Sequence, residues 1–145
     1  MIRRSHTLVK PYEVVSRQDD ALDKDAPDFD LRWDQYLDGA GDPPLKPGAK
    51  PATFKLRHLK ATERDRLAGL DGDAARLCYA ACALALMSVD GLVDEDGKPI
   101  KIRHDIDKDL HALQVVSRES MDLLGQALCV ELGATALRRS SPRPN

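Results

Sequence analysis

The chain lacks a long apolar run: its longest, Leu77 to Met87, is eleven residues, about half of the twenty or so that a bilayer-spanning helix needs. No membrane partner is therefore expected. Charge of one sign is not in excess either, since 22 basic residues face 24 acidic ones for a net charge of −2. A dedicated nucleic-acid binder shows a basic excess, so nucleic acid is not expected as the main partner. The basic clusters at the two ends, MIRR and RRSSPRPN, read as solvated termini. Cysteine is scarce and odd in number, with Cys78, Cys82 and Cys129 all in apolar helical settings. That pattern fits reduced thiols in a cytoplasm better than a disulfide framework. Cys78 and Cys82, four residues apart, read as small hydrophobes in a core. MIRRSHTLVKPYEVV has no apolar segment before Pro11 and Glu13, so no signal peptide is expected.

Motifs that carry chemistry are also missing. There is no glycine-rich phosphate loop and no nucleophile elbow, and neither His6 nor His58 has a nucleophile nearby in sequence. The run IRHDIDKDLH offers His104, Asp105, Asp107, Asp109 and His111, but a metal site needs ligands converging on one point. Alternation with Ile106, Lys108 and Leu110 reads instead as a charged loop leading to a helix. The segment from Asp94 to Gly97 resembles a calcium loop. With Gly97 as its sixth residue, however, Leu92 and Arg103 would occupy the first and twelfth positions, and neither ligates calcium. The expectation is a non-enzyme with no catalytic residue, cofactor or metal.

What is present is an organised succession of elements. Residues 7–17 read as an extended or strand-like piece, confined to a sheet edge by Pro11. Ser16 is a candidate cap for a short helix that Pro27 would stop. From Asp19 to Asp38 eight aspartates face only Lys24 and Arg32, yet Phe29, Trp33 and Tyr36 lie among them and Tyr12 lies just before. A linker rich in proline and glycine follows over residues 39–51, a composition that favours extended backbone. Thr53 to Leu59 alternates as a half-buried strand does. Thr62 and Asp65 suggest a capping box for a short helix ending near Leu70, with Asp71-Gly72 as its turn. DAARLCYAACALALMSV predicts a helix over 73–89, capped by Asp73 and buried on every side because it is apolar on every side.

Asp96-Gly97 with Pro99 marks a turn between short extended pieces at Leu92-Val93 and Ile100-Ile102. A last helix is predicted from Arg118 to Leu137 behind a Ser117 cap. Its seam would be Leu123, Ala127, Val130, Ala134 and Leu137, widened by Met121, Leu124, Leu128 and Leu132. The sum is a helix-dominated α+β fold with two main helices, a short helix and short β strands. An extended, acidic and aromatic N-terminal arm (1–38), the linker (39–51), a compact domain (52–139) and a tail (140–145) are the expected divisions.

The segments PPLKPGAKPATFKLRHLKATERDRL, AARLCYAACALALMSVDGLVD, EDGKPI and LLGQALCVELGATAL together resemble small proteins encoded among the tail genes of tailed bacteriophages, often described as tail-assembly-chaperone-like. The resemblance spans about Pro43 to Leu137 and brings no catalytic residues with it. It implies a phage morphogenesis protein, assembled in the host cytoplasm and found in the virion. Its partners would be other phage structural proteins or copies of itself. In this reading the arm docks on a neighbouring subunit, with Tyr12, Val14, Val15, Phe29, Trp33 and Tyr36 as anchors, because aromatic residues dominate interface energetics. The alternative is an arm folded back on its own domain. Transient chaperoning of a tape-measure or tube protein, or regulation of a host protein, are the other functions the resemblance leaves open.

Overall fold

The computed structural model describes residues 11–70, 72–102, 116 and 118–140. Among the described residues, five helices and a three-stranded antiparallel sheet give the expected α+β class. In chain order these are β1 (Tyr12–Val14), α1 (Phe29–Leu37), β2 (Thr53–Leu56), α2 (Ala61–Ala68), α3 (Ala74–Ala85), β3 (Leu86–Asp90), α4 (Arg118–Leu124) and α5 (Gln126–Ser140).

The alternation of β2 works as predicted: Phe54 and Leu56 are buried while Lys55 is exposed. β2 is the central strand, pairing Val14 with Phe54 on one side and Phe54 with Val89 on the other. That row puts three apolar side chains on the face covered by helices, as the two-residue period requires. The helix predicted over 73–89 ends at Ala85, because Leu86 turns extended and residues 86–90 pair with β2. An apolar run satisfies helix and strand patterns alike, and here the strand partner decides. Asp73 caps α3 as expected, its carboxylate accepting from the Arg76 N–H at 3.0 Å. Only Ala81, Cys82 and Ala85 of α3 are fully buried; its other apolar residues are half-buried, apart from Ala74, which is exposed.

The predicted long C-terminal helix is two helices. Gly125, at φ +87°, breaks it between α4 and α5. α5 buries Cys129, Leu132, Gly133 and Ala136 against α3, so the face lies one step round from the expected seam. Leu123, placed on that seam by pattern, is 60% exposed. α2 begins one residue earlier than its predicted capping box. The carboxylate that reaches back is Glu63, accepting from the Lys60 N–H at 3.0 Å, rather than Asp65. The hairpin around Asp96-Gly97 forms, with Val93 bridged to Pro99. The Ser117 cap, Asp71, the candidate ligands from His104 to His111, the MIRR cluster and residues 141–145 lie outside the described residues. Arg138 and Arg139, which open the C-terminal basic cluster, are described and bind the N-terminal part of the chain instead of standing as a solvated terminus.

The largest correction concerns the arm and linker. Their described part, residues 11–51, folds onto the domain as an N-terminal lobe instead of extending from it. Leu22 bridges Leu45, Asp23 N–H donates to the Pro44 carbonyl and Lys46 N–H to the Ala21 carbonyl, both at 2.8 Å. Asp19 ties the lobe to the sheet, since one carboxylate oxygen accepts from Ala21 N–H and the other from Ala52 N–H. Ser16 caps no helix; its hydroxyl accepts from Gln18 N–H in a turn, and the helix of this region is α1. The prolines therefore shape a short return path in which Pro44 is itself buried.

Beneath the domain, Arg57 and Glu63 make a doubly hydrogen-bonded ion pair at 2.7 and 2.5 Å, with the Glu63 side chain 3% exposed. Burial alone would raise the Glu63 carboxyl. Hydrogen bonds from Arg57 and from the Lys60 N–H outweigh it and hold the group below its usual 4.5. A depressed carboxylate stabilises the fold above its unfolded value and loses that contribution as pH falls through its folded value. Denaturation midpoints followed downward from pH 6 are thus expected to show wild type losing its advantage over Glu63→Gln below about 4.5. A constant gap at all pH values would mean the pair does not act through its charge.

Candidate functional site

The six predicted anchor residues fall in two places. Val14 belongs to the main core, and Tyr12 packs against it. Val15, Phe29, Trp33 and Tyr36 join Leu22 in a second, separate apolar cluster under the lobe. Phe29, Trp33 and Tyr36 are spaced four and three apart and so share one face of α1. That face turns inward, leaving them 5%, 3% and 6% exposed. Phe29 and Trp33 stack at 6.0 Å and Trp33 tilts against Tyr36 at 5.3 Å. Side chains buried this way are not available as anchors, and this corrects the expectation. Tyr12, half-buried, sits 4.8 Å from the His58 ring. Burial pushes its hydroxyl up to about 12, against the opposing charge of Arg139.

The lobe is fastened to α5 by a short set of charged residues. Arg139 lies over the rings of Tyr12 and Tyr36, at 4.7 and 5.3 Å, and donates to the Tyr36 and Leu37 carbonyls. Those carbonyls end α1, where the dipole favours a cation; the Tyr36 carbonyl also accepts from the Gly39 N–H at 2.9 Å. Arg138 grips the Asp38 carboxylate through two bonds of 2.6 and 3.0 Å and donates to the carboxylate and carbonyl of Asp34 at 3.0 and 3.4 Å. Glu131 accepts from the Ser16 hydroxyl at 2.6 Å and the Arg17 N–H at 2.8 Å. Tyr36 completes the set by accepting from the Val15 N–H at 3.0 Å. None of the pairings with α5 was visible in sequence, because the partners are a hundred or more residues apart and each charge had many possible mates.

With its aromatic face inside, α1 shows solvent Asp30, Leu31, Arg32, Asp34 and Gln35, and its C-cap Asp38 is exposed as well. Leu31 is 63% exposed at the centre of that strip. Asp30 pairs with Arg17 at 3.0 Å, and Arg138 neutralises part of the rest. The lobe as a whole remains acidic, with ten carboxylates against five basic side chains between residues 11 and 51. This strip, a leucine within an acidic surface, is the candidate interaction surface. Its signal in the sequence was the offset of Leu31 from the 29–33–36 stripe.

Among the described residues no three His, Cys, Asp or Glu side chains converge as a cluster that could hold a metal ion. No helix among them is long and apolar enough to cross a membrane. No family model matches the chain, and no curated protein or solved structure is significantly similar to it.

Proposed function

We propose that the chain is a non-enzymatic morphogenesis protein of a tailed bacteriophage. It acts as a structural component of the virion that docks on a neighbouring subunit in the tail, neck or baseplate region. Two things support the reading: the resemblance over Pro43 to Leu137 and the outward strip of α1. The observation that carries it is Leu31, exposed on a helix whose aromatic residues are all turned inward. The partner chemistry follows from the strip. An apolar socket edged by lysine or arginine would bury Leu31, while the acidic lobe speeds and orients the encounter. Docking is through a folded lobe, not a threaded arm.

Quantitative mass spectrometry of purified particles tests the role. A fixed stoichiometry against the tube or capsid protein is expected. Absence from particles, with abundant protein in infected cells, would overturn it in favour of a transient assembly chaperone for the tape-measure or tube protein. Leu31→Lys tests the surface. An exposed substitution of this kind changes stability by less than about 0.5 kcal/mol, so the variant is expected to fold normally yet enter particles at a clearly reduced copy number. Incorporation at the wild-type level would exclude the α1 strip as the docking surface.

A further inference from the structure

The exposed apolar side chains sort by the charge around them. Five large ones stand at the surface of the described residues: Leu31, Leu45, Leu70, Val93 and Leu123. Leu31 and Leu45 belong to the acidic lobe, Val93 precedes Asp94, Glu95 and Asp96, and Leu123 follows Glu119 and Asp122. Among them only Leu70 ends a basic stretch. Residues 52–70 hold five basic side chains against two acidic ones, and one of those acids, Glu63, is buried and already neutralised by Arg57. Outward from α2 stand Lys60 and Arg66, with Arg64 half-exposed and Asp65 as the remaining acid. Among the described residues neither Arg64 nor Arg66 has an ion-pair partner. Gly69 keeps right-handed helical geometry, and the Leu70 N–H donates to the Leu67 carbonyl at 3.1 Å. The last turn therefore runs on to Leu70 and sets it one turn beyond Arg66. Ala68 and Gly69, small and exposed, leave a shallow space beside it.

We propose that this end of α2 receives the α1 strip of a second copy of the chain, with Leu31 of one copy packed beside Leu70 of the other. The inference rests on the docking role given above to the strip and names its partner. Charge complementarity selects the second copy. The strip calls for an apolar spot edged by basic side chains, and Leu70 with Arg64 and Arg66 is such a spot on the same molecule. Two copies meeting lobe to lobe would set like charges against each other, which opposes association. Lobe to α2 sets ten carboxylates and five cations on one side against a basic segment on the other. The two surfaces are different parts of the chain, so the contact is heterologous. Each copy offers its lobe to one neighbour and its α2 to the next, and the contact repeats into a ring where the rotation closes and a filament where it does not.

Sedimentation of the full-length protein over a concentration series tests this. Self-association is expected at about 0.1 M salt and should weaken at about 1 M, where the Debye length falls from ~10 Å to ~3 Å. The loss of two or three exposed ion pairs of ordinary strength makes that weakening about tenfold. Leu31→Lys and Leu70→Asp both fall at exposed positions, where substitutions leave the fold intact, and thermal melts check that they do. Each variant alone should be monomeric. Mixed in equal amounts they should associate again, because the first keeps an intact α2 and the second an intact strip. A mixture that stays monomeric would overturn the proposal. Self-association of Leu70→Asp at the wild-type level would overturn it as well and assign the strip to a lobe-to-lobe contact. So would a wild-type protein that is monomeric at the highest concentration reached. Entry of Leu31→Lys into particles then separates the two readings: reduced entry leaves the docking role standing with a different subunit as partner, and normal entry removes both.

Discussion

Gly133→Ala is expected to destabilise the protein by about 3 kcal/mol or more, at or beyond the upper end of the range for overpacking a core. A Cβ on Gly133 would overlap the Cys78 carbonyl oxygen and lie 3.0 Å from the Cys78 Cα. The obstacle is backbone, which no rotamer change can move aside, so the two central helices would have to separate along their whole contact. For a chain of this size such a loss lowers Tm by about 10 °C. Gly125→Ala provides the contrast. Nothing lies within 4 Å of its added Cβ, and the strain of φ +87° alone applies, about 1–2 kcal/mol. Thermal melts of both variants decide the matter. If Gly133→Ala melts no lower than Gly125→Ala, the close approach of α3 and α5 is not as described.

Trp33→Ala is expected to cost about 3–5 kcal/mol, the usual range for removing a buried large aromatic. Trp33 is 3% exposed and touches both Phe29 and Tyr36, so its loss opens the centre of the second cluster. Because that cluster is separate from the main core, the damage should concentrate in the lobe. Hydrogen exchange is expected to quicken over residues 16–46 more than in α3 or in the β2–β3 pair. In the wild type, Trp33 is the sole tryptophan, so a blue-shifted emission resistant to quenching reports the closed lobe directly. An unchanged melting temperature together with unchanged exchange would mean that the lobe does not depend on its aromatics.

Where pattern and partner agreed, the sequence was readable. The alternation at Phe54 and Leu56, the Asp73 cap and the Asp96-Gly97 turn each follow from neighbours a few residues away, and each appears as expected. The division at Ala85 was hidden because Leu86 to Val89 continues an apolar run that only its pairing with β2 makes a strand. Gly125 sits inside a good helical stripe, and a stripe does not reveal which glycine will turn left-handed. The lobe misled for a different reason. Eight aspartates and a run of prolines resemble the composition of an unfolded arm, while the compensating cations, Arg138 and Arg139, stand at the other end of the chain. The candidate surface is displaced with it: the large aromatics expected as outward anchors hold α1 down, while Leu31, off their stripe, stands exposed.

The clasp between the lobe and α5 also orders events during synthesis. Ser16 and Arg17 must wait for Glu131, Asp34 and Asp38 for Arg138, and the Leu59 N–H for the Ser140 hydroxyl. Contacts this distant along the chain slow folding, because the intervening segment must be closed into a loop before they form. A nascent chain that stops short of α5 would carry an acidic lobe without Glu131, Arg138 and Arg139 to fasten it. Synthesis of α5, and not the appearance of any earlier element, is therefore the step that fixes the lobe in place.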